Sequence, residues 1–222
     1  MIRGILITGN DSTLSRAVEA EAVKRVEKYA VVMIPNRFSG SQKNPAPTNE
    51  KRIHLEWNPS SPISARTLVL AAENRLESLD EAILVCSPPS IRSGAAELPL
   101  ADIEIMINDH IKGWFFLVKE LAAAFTARKQ GTLALVYPDT GSASGKDDAA
   151  DILGPSSIAA FRALTHGLLS AAHNEQYTTV GFSTPDAGNE AAFAAFIFKS
   201  IDEINRRSNG RLYKFSKFNF FK

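Results

Sequence analysis

Short apolar runs alternate with longer amphipathic stretches along most of this chain. The runs have the length of buried strands, and the stretches repeat their apolar residues with the period of an α-helix. This alternation is typical of parallel strands joined by crossover helices, because strands that run in the same direction need a long connection. We therefore predict a doubly wound α/β fold built on a parallel sheet.

The same patterns predict where the elements lie. Predicted strands cover 2–8, 29–34, 53–57, 81–87, 132–137 and 178–182. The first predicted helix is capped by Ser12 or Thr13, and later helices cover 63–78, 103–128 with a bend near its start, 156–173 and 189–207. Residues 35–50 and 138–155 are predicted polar loops. Residues 211–222 are predicted to add a last strand and a Phe-rich tail that covers the core or binds another subunit.

Length and composition exclude several classes of protein. A chain of 222 residues, 45% of them hydrophobic, suits one domain over 1–222. The 25 Lys and Arg nearly balance the 24 Asp and Glu, so we do not expect a nucleic-acid partner. No apolar run approaches the roughly 20 residues of a membrane-spanning helix. One cysteine and no signal-like start indicate no disulfide or Cys-rich metal cluster and a cytoplasmic protein.

The turn after the first predicted strand carries a family resemblance. It reads Thr8-Gly9-Asn10-Asp11-Ser12-Thr13-Leu14-Ser15, and Arg16-Ala17-Val18 follows. Together with the order of elements, this resembles the short-chain dehydrogenase/reductase family, a Rossmann-type fold whose turn reads T-G-x-x-x-G-x-G. Only Gly9 is retained, and Thr13 and Ser15 add bulk where a cofactor pyrophosphate would approach. The hydroxyls of Ser12, Thr13 and Ser15 either bind phosphate at the helix amino terminus or, for Ser12 and Thr13, only cap the helix.

The resemblance implies further cofactor contacts after the next strands. Asn36-Arg37 stands where the family reads the adenosine ribose, and Arg37 could pair with a 2′-phosphate, so a surviving site should prefer NADP. A solvated loop arginine is the alternative. Asn58 lies near the residues beside the adenine. The segment Leu84-Val85-Cys86-Ser87-Pro88-Pro89 replaces the family's Asn-Asn-Ala-Gly, and its prolines change that loop. Cys86 is either a reactive thiol or a buried, inert cysteine.

The family's catalytic residues are replaced in this sequence. Pro138 stands at the serine position, Ile158 at the tyrosine and Arg162 at the lysine, while His110 takes the place of the asparagine that holds a proton-relay water. Proline and isoleucine cannot move a proton, so ordinary carbonyl reduction is disfavoured. A rewired site could use Tyr137, Arg162 and His110. His166, Asp139, Lys146, Asp147 and Asp151 are further candidates for such a site.

Three functions remain open on the sequence. The first is a catalytically degenerate protein that acts as a binding, regulatory or partner subunit, in a homo- or hetero-oligomer formed through the helices that carry His110 and Arg162. The second is an atypical NADP-dependent oxidoreductase with a rewired site. The third keeps the pocket for a nucleotide or an anionic metabolite held by Ser12, Thr13 and Ser15. NADP is therefore a possible cofactor, or there is none if the changed turn abolishes binding.

Overall fold

A computed structural model describes residues 3–26, 28–35, 37–38, 51–139, 151–186, 188–204 and 208–216. Within these residues, seven strands form one parallel sheet in the order β3-β2-β1-β4-β5-β6-β7. The strands are β1 (Ile5–Gly9), β2 (Tyr29–Met33), β3 (Arg52–His54), β4 (Glu81–Val85), β5 (Thr132–Pro138), β6 (Thr178–Thr184) and β7 (Leu212–Lys214). The α-helices are α1 (Thr13–Val23), α2 (Pro62–Leu76), α3 (Leu100–Ile107), α4 (Gly113–Arg128), α5 (Leu153–Ala171) and α6 (Glu190–Asp202). The predicted doubly wound fold is confirmed.

Two apolar layers bury the sheet on both faces. Helices α1 and α6 cover one face, with Val18 and Phe198 among their buried residues, and α2, α4 and α5 cover the other. The strands β1, β4 and β5 are fully buried apart from their ends, which explains their near-continuous apolar sequences. Polar side chains are therefore concentrated at the ends of the strands.

The strand order reverses between β1 and β4, and this reversal positions the candidate site. Strand β1 pairs in parallel with both neighbours, so that Gly9 lies opposite Met33 of β2 and Val85 of β4. The chain passes from β2 to β3 on one side of β1 and from β4 to β5 on the other side. In doubly wound sheets a ligand crevice forms at this point, outside the carboxyl ends of the strands.

The long helix predicted over 103–128 is interrupted near its start by a change of helix type. Helix α3 passes into a π-helical segment at Asn108–Lys112, which continues directly into α4. Helix α4 ends at Arg128 and is followed by Lys129, whose φ of 57° is left-handed; Gly131 then takes a φ of 141°. A side chain at Gly131 would meet the ring of Phe125, so this position requires glycine.

Several predicted boundaries are wrong. The helix predicted over 189–207 ends at Asp202 as α6. The third strand was predicted at 53–57, but β3 covers only Arg52–His54; the amide of Leu55 still donates to the carbonyl of Val31, and the side chains of Leu55 and Trp57 are buried in the core. The helix predicted over 156–173 begins three residues earlier, since α5 starts at Leu153. Asp151 accepts a hydrogen bond of 2.9 Å from the amide of Gly154, and Pro155 is tolerated because it lies in the first turn.

Some predictions lie outside the described residues. These include most of the two polar loops and the Phe-rich end of the chain after Ser216; the start of the last strand is observed as β7. Among the described residues, no helix has the length and apolar character needed to cross a membrane. The same residues contain no cluster of three His, Cys, Asp or Glu arranged to hold a metal ion.

The carboxyl group of Glu81, at the start of β4, should make stability depend on pH. Burial raises the pKa of Glu81 to about 6, although the guanidinium of Arg3 bonds it and opposes the shift. A carboxyl with a raised folded pKa stabilises the fold below its ordinary pKa of 4.5, and this contribution is lost as the pH rises through 6. The stability of Glu81→Gln relative to the wild type should therefore increase by about 2 kcal/mol between pH 4.5 and pH 7.

Urea denaturation across this pH range measures the difference. Glu175→Gln, the same change at an exposed position, is the control and should keep a constant offset from the wild type. A constant offset for Glu81→Gln as well would contradict the prediction.

Candidate functional site

A cleft of about 410 Å³, including space open to solvent, lies at the carboxyl edge of the sheet. It extends from the start of α1 past the ends of β4, β5 and β6 to the start of α6. Its lining residues are Thr13, Leu14, Ser87, Pro138, Thr184, Asp186, Glu190 and Phe193. The cleft therefore brings together the predicted phosphate-binding turn and the predicted catalytic serine position, here Pro138.

At the amino terminus of α1, serine hydroxyls bond one another and the helix backbone. Ser12 is the N-cap residue, and its hydroxyl accepts a hydrogen bond of 3.1 Å from the amide of Ser15. The hydroxyls of Ser12 and Ser15 also lie 3.1 Å apart and form a hydrogen bond. Ser15 is fully buried between α1 and β1. Helix capping accounts for both side chains without a ligand.

Gly9 is required at the end of β1 by close packing. A Cβ atom at Gly9 would lie 2.7 Å from the Ser15 hydroxyl and 2.8 Å from the carbonyl oxygen of Val85. The retained glycine therefore lets helix α1 and strand β4 approach β1.

Thr13, the third hydroxyl of the turn, is exposed and faces a carboxylate. Its Oγ1 donates a hydrogen bond of 3.4 Å to Oε1 of Glu190, the first residue of α6. The same oxygen accepts a bond of 3.2 Å from the amide of Gly188. The negative charge of Glu190, 177 residues away along the chain, thus lies where this fold usually places a cofactor pyrophosphate.

Arg37, which follows β2, lies in a polar network with the π-helical segment and the turn before α2. Its Nε donates a bond of 2.9 Å to Oδ2 of Asp109, and its second nitrogen bonds the other carboxylate oxygen. Ser60 completes the network, since its hydroxyl bonds Asp109 at 3.0 Å and accepts from Arg37 at 3.1 Å. Asp109 is fully buried. The Arg37 guanidinium, which was predicted to bind a 2′-phosphate, thus forms a two-bond contact with the carboxylate of Asp109 instead.

His110 lies beside this network in the π-helical segment and is buried. Its ring stacks on Phe38, with centroids 5.8 Å apart, and its Nε2 has no hydrogen-bond partner among the described residues. Burial lowers the pKa of His110 to about 4, an effect that Asp109 opposes and Arg37 reinforces. The imidazole is therefore neutral at pH 7 and is shielded from solvent by the ring of Phe38.

Asn58 and Cys86 have structural roles in the fold. Asn58 is exposed and shapes the turn before α2, where its amide donates to Ser64 at 2.8 Å and its side chain accepts from Ser60 at 3.2 Å. Cys86 is buried, and burial raises the pKa of its thiol above the ordinary range, although the Ser157 hydroxyl opposes the shift. That hydroxyl donates a bond of 3.0 Å to the carbonyl of His110. A protonated, enclosed thiol is not a reactive one.

The end of β5 and the face of α5 carry the remaining predicted catalytic residues. Tyr137 is fully buried against Phe161, and burial, with a smaller contribution from Asp139, raises its pKa. Ile158 packs against the core. Arg162 is half exposed and donates a bond of 3.1 Å to Asp139. Two members of the proposed rewired site, Arg162 and Asp139, do meet, but they neutralise each other.

Sequence reasoning missed the two carboxylates that determine the electrostatics of this edge. Asp109 lies on the same buried helical face as Met106. An acidic residue among buried apolar residues needs a cation as its partner. This pattern could have identified Asp109 as the partner of Arg37. Glu190 looked like an ordinary residue of a first helical turn, and its contact with Thr13 spans 177 residues. Asn36, Lys146 and Asp147 lie outside the described residues. His166 is exposed on α5 and Asp151 caps that helix.

The Arg37–Asp109 pair should be coupled energetically. Replacing Arg37 with Ala leaves a fully buried carboxylate held by Ser60, and we expect this change to lower the free energy of unfolding by about 2 to 3 kcal/mol. Adding Asp109→Asn removes the buried charge and should restore at least about 1 kcal/mol. Urea denaturation of the two single variants and the double variant measures this coupling. Arg66→Ala, at an exposed arginine of α2, is the control, and strictly additive effects of the two changes would contradict the prediction.

Comparison with known proteins relates this geometry to a family of folds. ElxO with NADP bound matches with a TM-score of 0.71 and 16% identity, over 96% of this chain and 97% of that one. The NADH-dependent reductase A1-R′ complexed with NAD matches with a TM-score of 0.69 and 13% identity, over 96% of this chain and 95% of that one. A short-chain dehydrogenase/reductase from Serratia marcescens BCRC 10948 matches with a TM-score of 0.66 and 14% identity, over 96% of each chain. The sequence matches no protein-family model and no curated protein. The chain thus has the fold of the short-chain dehydrogenases/reductases, as its motifs predicted.

Proposed function

We propose that this protein does not transfer hydride and instead acts as a binding, regulatory or partner subunit on a short-chain dehydrogenase/reductase scaffold. One observation carries the proposal: the polar groups that could move a proton or hold a dinucleotide at the carboxyl edge are buried or paired with protein groups. Tyr137 and His110 are buried, while Arg37 and Arg162 bind carboxylates. General acid–base catalysis needs a group that reaches the substrate and titrates near the working pH.

The protonation states of these groups also argue against a rewired reaction. The pKa of His110 is lowered to about 4 and that of Tyr137 is raised, both chiefly by burial, so at pH 7 each group is neutral and resists ionisation. An acid in this family's type of reaction has to release and regain a proton readily. Pro138 and Ile158 supply no proton at the positions next to them. The site therefore lacks a suitable acid among its described residues.

The residues around the cleft do not match a dinucleotide either. A pyrophosphate needs an electropositive helix terminus, but the carboxylate of Glu190 bonds Thr13 at the terminus of α1. A 2′-phosphate needs a free cation, but Arg37 is bound by Asp109. The solved neighbours with NADP or NAD bound share the fold, and their ligands remain properties of those proteins.

Titration with NADPH and NADH tests this part of the proposal. We expect no saturable binding of either cofactor by calorimetry up to millimolar concentrations, since the groups that would bind its phosphates are already engaged by the carboxylates of Glu190 and Asp109. ElxO, which was solved with NADP bound, is the positive control. Saturable NADPH binding together with NADPH-dependent turnover that Tyr137→Phe abolishes would support an atypical oxidoreductase and contradict the proposal.

The partner that we propose is a second copy of this chain, docked along an apolar stripe on α3, the π-helical segment and α4. Leu100, Ile107 and Phe115 are 79%, 47% and 51% exposed, and Ile103 and Ile111 between them are half-buried. Their spacing of three or four residues places them on one side of the helix. Exposed apolar surface of this kind marks protein interfaces.

Charge complementarity favours a second copy. In an antiparallel pairing of two stripes about a twofold axis at Ile111, Ile107 faces Phe115 of the partner subunit, and Glu104 faces Lys119 of the partner subunit. Both charged residues are exposed. A twofold axis makes each of these contacts twice, which adds to the apolar area buried.

Analytical ultracentrifugation of charge variants tests the dimer. We expect the wild type to dimerise, and Phe115→Glu to weaken the dimer by about tenfold or more because it buries an unpaired charge. Glu104→Lys and Lys119→Glu should each weaken it, and the double variant should recover it. Leu70→Glu, at a residue of α2 that is 50% exposed, is the matched control. A monomeric wild type, or the same loss in Leu70→Glu, would exclude this interface.

A further inference from the structure

The amino terminus of α1 lacks a negative charge of its own. No acidic residue lies in the first turn of this helix, which begins at Thr13. Asp11 precedes the turn, but its carboxylate binds the guanidinium of Arg16 with two bonds of 2.7 and 2.9 Å. A helix amino terminus carries partial positive charge and favours an anion, either a side chain or a ligand.

Glu190 supplies this charge from within the chain. Its carboxylate accepts from the Thr13 hydroxyl and from the amide of Gly188, and it also lies in the first turn of its own helix, α6. The two helices pack side by side on one face of the sheet, which holds their amino termini together. Both Thr13 and Glu190 line the cleft. One carboxylate therefore serves two helix termini at the entrance to the site.

A carboxylate in this position also repels a phosphate. A pyrophosphate at the start of α1 would bring its own negative charges within a few ångströms of Glu190. Between partly buried groups at such distances, electrostatic repulsion changes a binding constant by about tenfold or more. Thr13 would meanwhile have its hydroxyl engaged by the carboxylate instead of the ligand.

We propose that Glu190 is the residue that excludes phosphate-bearing ligands from the cleft. This inference rests on the proposed function, for which it gives a specific cause: the anion position of the fold is filled by an internal carboxylate. It also argues against a nucleotide or anionic metabolite held by Ser12, Thr13 and Ser15. The changed turn sequence removes favourable contacts, and Glu190 adds the repulsion.

Removal of this single charge is the test. Glu190→Gln keeps the shape of the side chain and an oxygen that can accept from Thr13 and Gly188, but it removes the negative charge. We expect it to bind NADPH and inorganic pyrophosphate about tenfold or more tightly than the wild type, with a gain that shrinks as salt is added. Glu203→Gln, at the exposed carboxyl end of α6, makes the same change in net charge away from the cleft and should leave binding unchanged.

Calorimetry at low and high ionic strength gives the affinities, and thermal unfolding checks each variant. Glu190→Ala is a second neutral variant if the first is poorly folded. Equal binding by the wild type and by the folded neutral variants, including no detectable binding by any of them, would overturn the inference. So would an equal gain in Glu203→Gln. Wild-type NADPH turnover would refute the proposed function and the exclusion of phosphate together, whereas no binding by any folded variant would overturn the inference and leave the proposed function standing.

Discussion

Burial of the parallel sheet on both faces is the constraint on which this structure depends. Helices cover both sides, so the central strands expose almost no surface and are mostly apolar, with a few buried polar side chains such as Thr8, Glu81 and Ser183. Polar groups must then gather where the strands end, and the reversal between β1 and β4 concentrates them at one edge. The same constraint creates a possible site and limits what the residues there can do. Each polar group at this edge needs a partner, whether a ligand, water or another side chain.

The fold could be predicted from sequence because its signals are local and repeated. Apolar runs identified six strands, and Ser12 identified the start of α1 through its capping side chain. Boundaries failed where a distant or atypical contact decided them. Beyond the end of β3, Trp57 packs on Trp114, and ahead of Pro155 the carboxylate of Asp151 accepts a bond from the amide of Gly154 in the first turn of α5. Neither contact leaves a periodic pattern that sequence reasoning can detect.

The charges that the predicted site residues meet were not predicted from the sequence. Thr13 and Pro138, which the motifs singled out, line one cleft, and Arg37 bonds the residue that precedes His110, an adjacency that the sequence did not predict. Which charges meet could not be predicted, since the partners come from distant parts of the sequence. The Arg37–Asp109 contact spans 72 residues and the Thr13–Glu190 contact 177. A residue type indicates which chemistry is possible, but only the partner decides whether that chemistry is available.

The replacements at this edge are mutually consistent when the energetic cost of unpaired groups is considered. A site kept for a dinucleotide would hold its cations and helix terminus ready for phosphate, at a cost in stability that ligand binding offsets. Here Asp109 neutralises Arg37, Asp139 neutralises Arg162, and Glu190 neutralises the start of α1. Each pairing lowers the free energy of the ligand-free protein and raises the cost of binding a phosphate, because the same contact would have to break. The described residues of this edge therefore satisfy one another without a phosphate, which is the physical basis of the function that we propose.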